Sequence, residues 1–431
     1  MNLREFRRVG HLPSLLCAFL YFDISFMIWV LLGPLANRIV AELLPQGEGE
    51  AAGDYLTRVA PYKGLMVAVP ILGGAILRLP MGVLTDRCGA RFTGLLGMTL
   101  TIIPLLLGRF WLTSYEQALV VGALLGIGGA SFAVALPLAS RWYPPQYQGL
   151  AMGIAGAGNS GTALATLFAP LLAAWLADWH LVFGLALVPL LATLLVFALF
   201  AEDAPTQPAP KPLIAYVQVF RHADTWWFCL FYAVTFGGFV GLASFLNAFF
   251  RDQYFLTDRK TGELYAAVFT TLCVVAGSFL RPVGGYLADR FGGIRMLMML
   301  YSGVAAAMLG MAVLPPVGVA LVLLFLAMGC LGMGNGSVFQ LVPQRFPKEI
   351  GVITGIVGAA GGVGGFFLPT LLGGLKGLTG TYGSGFAVFA VAAGSCVLLM
   401  AALRVRWEGT FLADLARPAA PTLAPAASPA T

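Results

Sequence analysis

Long apolar runs separated by short polar loops make up most of the chain. Each run is close to the roughly 20 residues that an α-helix needs to cross a bilayer, and the runs lack the short alternating segments of a membrane β-barrel. The pattern predicts twelve spans, at 14–36, 61–85, 92–110, 117–139, 149–176, 180–201, 224–249, 264–287, 295–314, 319–342, 351–375 and 383–403. We therefore expect an all-α integral membrane protein with twelve transmembrane helices in contact with the lipid bilayer.

A polar, proline-rich segment divides these spans into two sets of six. The sequence EDAPTQPAPKP at 202–212 has the composition of a linker. We expect an N-terminal six-helix half over 1–201, a cytoplasmic linker over 202–223 and a C-terminal six-helix half over 224–403. The remaining residues, 404–431, end in a stretch rich in Ala and Pro. This composition predicts a cytoplasmic tail that is partly disordered.

The composition agrees with a membrane protein. The chain is 59% hydrophobic and only 10% charged, whereas soluble domains carry about 25% charged residues. The six cysteines are scattered and form no CxxC pair, so neither a disulfide framework nor a metal site is indicated. No nucleophile–base pair or phosphate-binding loop stands out either. We therefore expect no enzyme activity, no cofactor and no metal.

The distribution of basic residues predicts the orientation. With the N-terminus inside, the cytoplasmic side holds 15 Lys and Arg residues and the outer side holds 8. Cytoplasmic loops are enriched in these residues, so both termini are expected in the cytoplasm. The formal net charge of +6 then reflects membrane topology, and no nucleic-acid partner is needed to explain it.

Two arginines lie where a membrane protein is least expected to place them. Arg78 and Arg281 are each the only charge in a long apolar run, and each precedes the Asp of a matching loop by 8 residues. Eight residues of helix span about 12 Å, which is near the centre of a hydrocarbon core about 30 Å thick. The alternatives without a functional site are that these arginine side chains extend to the membrane interface, or that they form structural ion pairs. Because the predicted spans offer one obvious acid for two cations, we favour a site for an anion.

The two halves repeat each other at an offset of about 203 residues. GVLTDRCGAR aligns with GYLADRFGGIR, GIGGASFAVALPLASRWYP with GCLGMGNGSVFQLVPQRFP, and GIAGAGNSGTALATLFAP with GIVGAAGGVGGFFLP. These segments are 82–91 and 285–295, 126–144 and 329–347, and 153–170 and 355–369. Parallel repeats with a site between them near the bilayer midplane are a transporter architecture. The repeat predicts two pseudo-symmetric halves.

The paired G-x-L-x-D-R-x-G loops resemble the signature of the major facilitator superfamily. The glycine-rich fifth and eleventh spans, with one arginine each in spans two and eight, resemble its nitrate/nitrite porter family. The resemblance implies that Arg78 and Arg281 clamp a planar oxyanion. It also implies gating by the loop residues, which latch the halves together in one conformation, and four further substrate contacts. The loop residues are Asp86, Arg87, Arg91, Asp289, Arg290 and Arg295; the contacts are Asn159, Tyr232, Phe236 and Phe132.

The glycine runs have a packing interpretation. Gly156, Gly158 and Gly161 spell G-x-G-x-x-G, but a dinucleotide fingerprint must follow a strand and open a helix, and this one lies inside an apolar run. Small residues instead let helices approach closely. The predicted helix-packing glycines are Gly153, Gly156, Gly158, Gly161, Gly358, Gly361, Gly362 and Gly365.

Three polar residues in the spans remain open in role. Asp23 is an acid within the first span and is a functional candidate by default; it either titrates and couples protons or pairs with an arginine or a helix end. Asn335 and Gln340 in the tenth span either line the pathway or bond between helices.

We expect a secondary transporter of nitrate, nitrite or both in a bacterial inner membrane, working by alternating access as a monomer. Asp23 favours proton-coupled import. The alternatives are nitrate/nitrite exchange, an antiporter for another small anion or an organic phosphate, a passive anion channel, and a membrane sensor. The resemblance to organic-phosphate antiporters is weaker, because their arginine pair lies on spans one and seven, and this chain lacks arginines there.

Overall fold

The structure, a computed structural model, describes residues 6, 8–205, 214, 218–256, 259–346 and 350–409. Within these ranges the secondary structure consists of helices, and no strand is present. Most of the predicted linker (206–213 and 215–217) and of the predicted tail (410–431) lies outside the described residues. Twelve helical segments in the described part are long and apolar enough to cross a membrane, which confirms the predicted fold class.

The N-terminal half contains six spans built from nine α-helices. They are α1 (Leu12–Trp29) and α2 (Leu32–Leu43), α3 (Ala52–Cys88), α4 (Ala90–Phe110), α5 (Tyr115–Gly129) and α6 (Phe132–Ser140), α7 (Pro145–Gly156) and α8 (Gly161–Leu176), and α9 (His180–Phe200). A 3₁₀ turn over Ala157–Ser160 joins α7 to α8 within the fifth span. The first, fourth and fifth spans are therefore interrupted helices.

The C-terminal half contains six spans built from seven α-helices. They are α10 (Ala223–Tyr254), α11 (Arg259–Phe279) and α12 (Arg281–Phe291), α13 (Gly293–Ala312), α14 (Val317–Arg345), α15 (Ile350–Thr379) and α16 (Gly383–Glu408). A short 3₁₀ turn over Val219–Arg221 precedes α10. Only the eighth span of this half is interrupted within the described residues, at Leu280.

Several helices extend beyond the predicted spans. The second span was predicted over 61–85, but α3 runs over Ala52–Cys88, and α16 continues to Glu408. Hydropathy locates only the apolar part of a helix. Charged flanking residues such as Arg58 and Arg406 do not stop the helical backbone, so the helices continue into the polar layer.

Local chemistry accounts for the interruptions. The eighth span breaks at Leu280, directly before Arg281 and Pro282, and a proline supplies no N–H to the preceding turn. The fourth span breaks after Gly128 and Gly129, where glycine weakens a helix. Each break lies beside one of the two arginines singled out in the sequence.

The second and eleventh spans form the main contact between the halves. A side-chain carbon placed on Gly64 would lie 2.5 Å from the Pro369 carbonyl oxygen and 3.2 Å from the Cα of Gly373. Such distances leave no room for a side chain, so glycine is required for these helices to approach. The glycine-rich composition of α15 is thus used in an interface between halves.

A buried ion pair also joins the halves and was missed by the sequence analysis. The Lys63 ammonium in α3 donates to both Asp252 carboxylate oxygens in α10, at 2.8 and 2.7 Å, and both side chains are almost fully buried. The Tyr382 hydroxyl donates to Asp252 at 3.2 Å, and a second ion pair, Arg38 in α2 with Glu263 in α11, also joins the halves. The predicted seventh span ended at 249, before Asp252, and Lys63, although inside the predicted second span, was counted with the basic residues of the outer side.

The contacts between the halves are concentrated on one side of the molecule. An even number of spans places both termini on the same side, and the Lys63–Asp252 pair lies at the opposite ends of its helices, on what we call the far side. On the terminus side, Asp86 accepts a hydrogen bond from Arg141 in its own half, and Asp224 accepts one from Arg345 in its own half. The structure is therefore closed on the far side.

Removing the Lys63 charge should destabilise the folded protein. Lys63→Met leaves Asp252 buried with only Tyr382 as a donor among the contacts described, and breaking a buried ion pair typically costs about 3–5 kcal/mol. We expect a clear drop in the thermal unfolding midpoint of the purified protein in detergent. The double variant Lys63→Met, Asp252→Leu should recover most of that loss.

The matched control is Arg58→Met, which breaks the solvent-exposed Arg58–Glu50 pair on the same helix. Exposed pairs contribute little to stability, so its midpoint should stay close to that of the wild type. Equal losses in Lys63→Met and Arg58→Met would contradict the role assigned to the buried pair.

Candidate functional site

Arg78 in α3 is fully buried, with 1% of its surface exposed. Its Nε donates to the Gly129 carbonyl at 3.1 Å, and its Nη1 donates to the Gly358 carbonyl in the other half at 2.5 Å. Gly129 ends α5, and the carbonyls of a helix C-terminus carry partial negative charge. Backbone carbonyls thus stabilise the cation, while Nη2 has no hydrogen-bond partner.

Arg281 opens α12, immediately after the break at Leu280. Its Nη2 lies 3.5 Å from the Tyr232 hydroxyl, a long contact, and its buried Nη1 has no partner. Neither Arg281 nor Arg78 belongs to an ion pair among the described residues. Each half therefore supplies one guanidinium with a buried, unused donor; Arg78 is fully buried and Arg281 is partly exposed.

Both guanidinium groups lie against the same aromatic ring. The central carbon of Arg78 is 5.3 Å from the centroid of Phe132, and that of Arg281 is 5.8 Å from it. Phe132 opens α6 after the break in the fourth span. The predicted residues Arg78, Arg281 and Phe132 are thus brought together between the halves.

Further aromatic side chains line this region. Phe236 lies 4.9 Å from the Arg78 guanidinium carbon and stacks on Tyr232 with centroids 5.1 Å apart. Phe339 contacts Tyr232 edge-on at 4.8 Å and lies 5.9 Å from Arg281. Tyr232 and Phe236 were predicted; Phe339 was not, because the sequence repeat pairs it with an ordinary leucine, Leu136.

Trp29 also packs against Arg78, and the sequence did not predict this contact. Its indole N–H donates to the Pro70 carbonyl at 2.6 Å, and its ring lies 5.5 Å from the Arg78 guanidinium carbon. A side-chain carbon on Gly129 would lie 2.3 Å from this indole. Cation–π contacts of this kind favour a buried arginine, and glycine is required to admit the indole.

Asn159 is buried in the 3₁₀ turn of the fifth span, with 1% exposure. Neither its amide nitrogen nor its amide oxygen has a partner, and its backbone carbonyl accepts from Ser278 of the eighth span at 3.4 Å. Ser278 lies one helical turn before Arg281. The predicted role of Asn159 as a substrate contact stays a prediction.

Asp23 bonds to a neighbour in its own half. The Ser160 hydroxyl donates to the Asp23 carboxylate at 2.6 Å, and the backbone of Gly161 packs directly on the backbone of Asp23. Among the described residues no arginine pairs with Asp23; its partner Ser160 immediately precedes α8, which matches the helix-end alternative. The carboxylate thus takes part in the contact between the first and fifth spans.

The predicted packing glycines divide into three groups. Side-chain carbons on five of them would lie within 3.0 Å of atoms of neighbouring helices, namely Gly158, Gly161, Gly361, Gly362 and Gly365. One on Gly358 would make an ordinary contact, 3.4 Å from the Phe132 ring. At Gly153 and Gly156 they would meet no atom within 4 Å, so these two do not pack on a neighbour in this conformation and their packing role stays a prediction. Both lie in the terminus-side part of the fifth span, where contacts between the halves are sparse.

The gating-loop residues make contacts within their own halves. Asp86 pairs with Arg141, and the Arg91 guanidinium donates to the Ala198 carbonyl at 2.8 Å. The described contacts for Arg87, Asp289, Arg290 and Arg295 include no latch between the halves. The latch predicted for the loop residues therefore stays a prediction about another conformation.

The arrangement is suited to an anion. Two permanent cations approach one point from opposite halves, each with a free N–H donor, and no carboxylate neutralises either of them among the described residues. Aromatic rings lie against both guanidinium groups, and around the fully buried Arg78 the low dielectric constant strengthens electrostatic attraction. Two six-span halves around such a central site define the protein as a secondary transporter.

Comparisons with known proteins agree with this class. The Major Facilitator Superfamily profile matches residues 14–369. The chain is 33% identical to the nitrite extrusion protein of Bacillus subtilis, over 87% of this chain and 90% of the relative. It is 34% identical to the probable nitrate/nitrite transporter NarK2 of Mycobacterium tuberculosis, over 84% and 89% of the two chains.

A solved structure supports the fold. The xylose transporter XylE from E. coli, in a partially occluded inward-open conformation, superimposes with a TM-score of 0.70 at 15% identity and covers 91% of this chain and 98% of XylE. The chain belongs to the major facilitator superfamily and, within it, to the nitrate/nitrite porter family. Membership also confirms that the protein is a transporter and not an enzyme.

Gly361→Ala should displace the Tyr232 ring and destabilise the site. The new methyl carbon would lie 2.5 Å from that ring, and overpacking of this kind costs about 1–3 kcal/mol. Gly355→Ala on the same helix meets no atom within 4 Å and serves as the control. We expect a lower thermal midpoint for Gly361→Ala alone; a wild-type midpoint would show that the ring contact is not tight.

Proposed function

We propose that this protein carries nitrate and nitrite across a bacterial inner membrane by alternating access. The observation that carries the proposal is the pair of guanidinium groups, Arg78 and Arg281, that share the Phe132 ring and each keep one buried, unused donor. The names of the relatives, a nitrite extrusion protein and a probable nitrate/nitrite transporter, support this choice of anion. With both termini in the cytoplasm, the observed conformation faces inward.

The shape and chemistry of the site favour a small planar oxyanion. Each guanidinium keeps one unused donor, so the two together can donate to two oxygens of one planar anion. The rings of Phe132, Phe236 and Tyr232 offer flat walls beside the two guanidinium groups. A larger organic phosphate would need more polar lining than these three aromatic side chains provide.

The anion links binding to the conformational change. Without it, Arg78 and Arg281 repel each other at short range in a region of low dielectric constant. An anion between them replaces this repulsion with two attractions, so closure of the terminus side around the site becomes favourable. The protein then changes conformation efficiently only with substrate bound, which favours coupled transport over a passive channel.

The membrane potential constrains the coupling. Importing one anion against an inside-negative potential costs about 2.3 kcal/mol per 100 mV. Exchange for an outgoing anion removes that cost, and symport with two or more protons reverses it. We favour proton-coupled nitrate import because the Asp23 carboxylate lies within the first span.

Nitrate/nitrite exchange is the second candidate. Ser160 holds the Asp23 carboxylate at 2.6 Å, which is also the geometry of a structural contact between spans. A relative from Thermus thermophilus, 32% identical over 85% of this chain and 86% of its own length, is named a probable nitrate/nitrite antiporter. The role of Asp23 separates the two mechanisms.

Arg78→Lys and Arg281→Lys should each abolish measurable nitrate transport. An ammonium keeps the charge but loses the planar guanidinium, its fixed donor directions and the flat face that stacks on Phe132. We expect a fall in kcat/KM of at least about a hundredfold, since a hydrogen bond to a charged group and the orientation of the cation are both lost. The measurement is initial uptake of labelled nitrate into proteoliposomes.

Arg109→Lys is the control, because Arg109 lies at the end of α4 and is partly exposed. It should transport nitrate at the wild-type rate. If neither lysine variant at positions 78 and 281 impairs binding or transport, the site is assigned to the wrong residues.

Asp23→Asn should abolish proton-driven accumulation while sparing exchange. The amide can still accept from Ser160 but can no longer take up a proton. The assay is nitrate accumulation in vesicles driven by an imposed proton gradient, compared with uptake into vesicles preloaded with nitrite. Gradient-driven accumulation at the wild-type level in Asp23→Asn would exclude Asp23 from coupling and favour a structural role.

A further inference from the structure

Asn335 in the tenth span is a buried amide with no function assigned above. Its exposure is 1%, and neither its amide nitrogen nor its amide oxygen has a hydrogen-bond partner. An unpaired amide inside a protein costs free energy because it has lost its hydration. We therefore expect that the Asn335 amide either binds a ligand or can be replaced by an apolar side chain without loss of stability or transport.

The packing of α14 fixes the direction in which Asn335 points. Leu331 and Gly334 pack on the seventh span, against Gly238 and Thr235. Gly332 and Gly336 pack on the eighth span, against Gly277 and the Arg281 carbonyl. At 100° per residue, Asn335 projects between these two faces.

Phe339 shows what lies in that direction. It follows Asn335 by four residues and so lies on the same side of the helix. Its ring contacts Tyr232 at 4.8 Å and the Arg281 guanidinium at 5.9 Å. Asn335 is therefore directed between spans seven and eight, toward the side chains that line the candidate anion site, and lies one helical turn closer to the far side than Phe339.

The internal repeat adds an independent observation. At the offset of 203 residues, Asn335 is the counterpart of Phe132, the ring shared by both arginines. The N-terminal half thus presents a phenyl ring at this position, and the C-terminal half presents an amide. The site is asymmetric in a way that adds one hydrogen-bond donor from the C-terminal half.

We propose that Asn335 donates a hydrogen bond to the bound anion and that this contact favours nitrate over nitrite. The inference rests on the proposed function. Nitrate is trigonal and presents three oxygens, whereas nitrite is bent and presents two. The two guanidinium groups approach from opposite halves and donate to two of the oxygens. The Asn335 amide donates to the third oxygen, which nitrite lacks. A site that hydrogen-bonds one substrate discriminates against an analogue without that group, because a buried donor is then left unpaired.

The test compares nitrate and nitrite kinetics in proteoliposomes that contain the wild type, Asn335→Leu or Asn335→Ser. Leucine conserves the approximate size of the side chain and removes both polar atoms. We expect kcat/KM for nitrate to fall about tenfold or more, with a fall for nitrite of less than about threefold. Asn335→Ser provides the same comparison if the leucine variant does not fold.

Ser337→Ala is the matched control. Ser337 lies two residues further along α14 on the opposite face, where its hydroxyl donates to the Gly284 carbonyl at 3.2 Å. Its removal should leave the nitrate-to-nitrite ratio unchanged. Two results would overturn the assignment of Asn335 while leaving the transport function intact. One is a nitrate-to-nitrite ratio that does not change in the Asn335 variants, and the other is the same change of ratio in Ser337→Ala. Wild-type vesicles that carry neither anion would overturn the proposed function itself, and this inference with it.

Discussion

The burial of Arg78 without a carboxylate partner is the constraint on which the rest of the site depends. A guanidinium remains charged at any physiological pH, so the fold must stabilise it in another way. The break in the fourth span frees the Gly129 carbonyl, and the eleventh span supplies the Gly358 carbonyl. Trp29, held by the Pro70 carbonyl, covers one face. These groups offset part of the cost and leave one donor for an anion.

The two kinds of charge at the interface between halves have different consequences. On the far side, Lys63 and Asp252 neutralise each other and close the molecule without any ligand. At the centre, Arg78 and Arg281 have the same sign and no acid between them. Under the proposed mechanism, closure around the centre depends on a bound anion, whereas closure of the far side does not. This difference gives a physical reason for substrate to control one half of an alternating-access cycle.

The sequence predicted the fold and the centre of the site but not its surroundings. Twelve spans, the repeat and the arginine pair follow from hydropathy, alignment and isolated charges in apolar runs. Trp29 and Phe339 carry no signal, because an aromatic residue in an apolar run is ordinary core packing. Asp252 was placed beyond the seventh span because hydropathy ends a span at its charged residues, although the helix continues. Lys63 lies inside the predicted second span, but its partner on another span could not be read from the sequence. Gly153 and Gly156 look like packing glycines in sequence, and only the separation of the halves on the terminus side shows that they have no neighbour.

The most direct test of the central claim is an experimental structure of the protein with nitrate bound. The account predicts planar density between the two halves, within hydrogen-bond distance of Nη2 of Arg78 and Nη1 of Arg281, the two donors that lack partners here. Density should lie against the Phe132 ring. Nitrate bound elsewhere, or an empty centre at concentrations that saturate transport, would contradict the account.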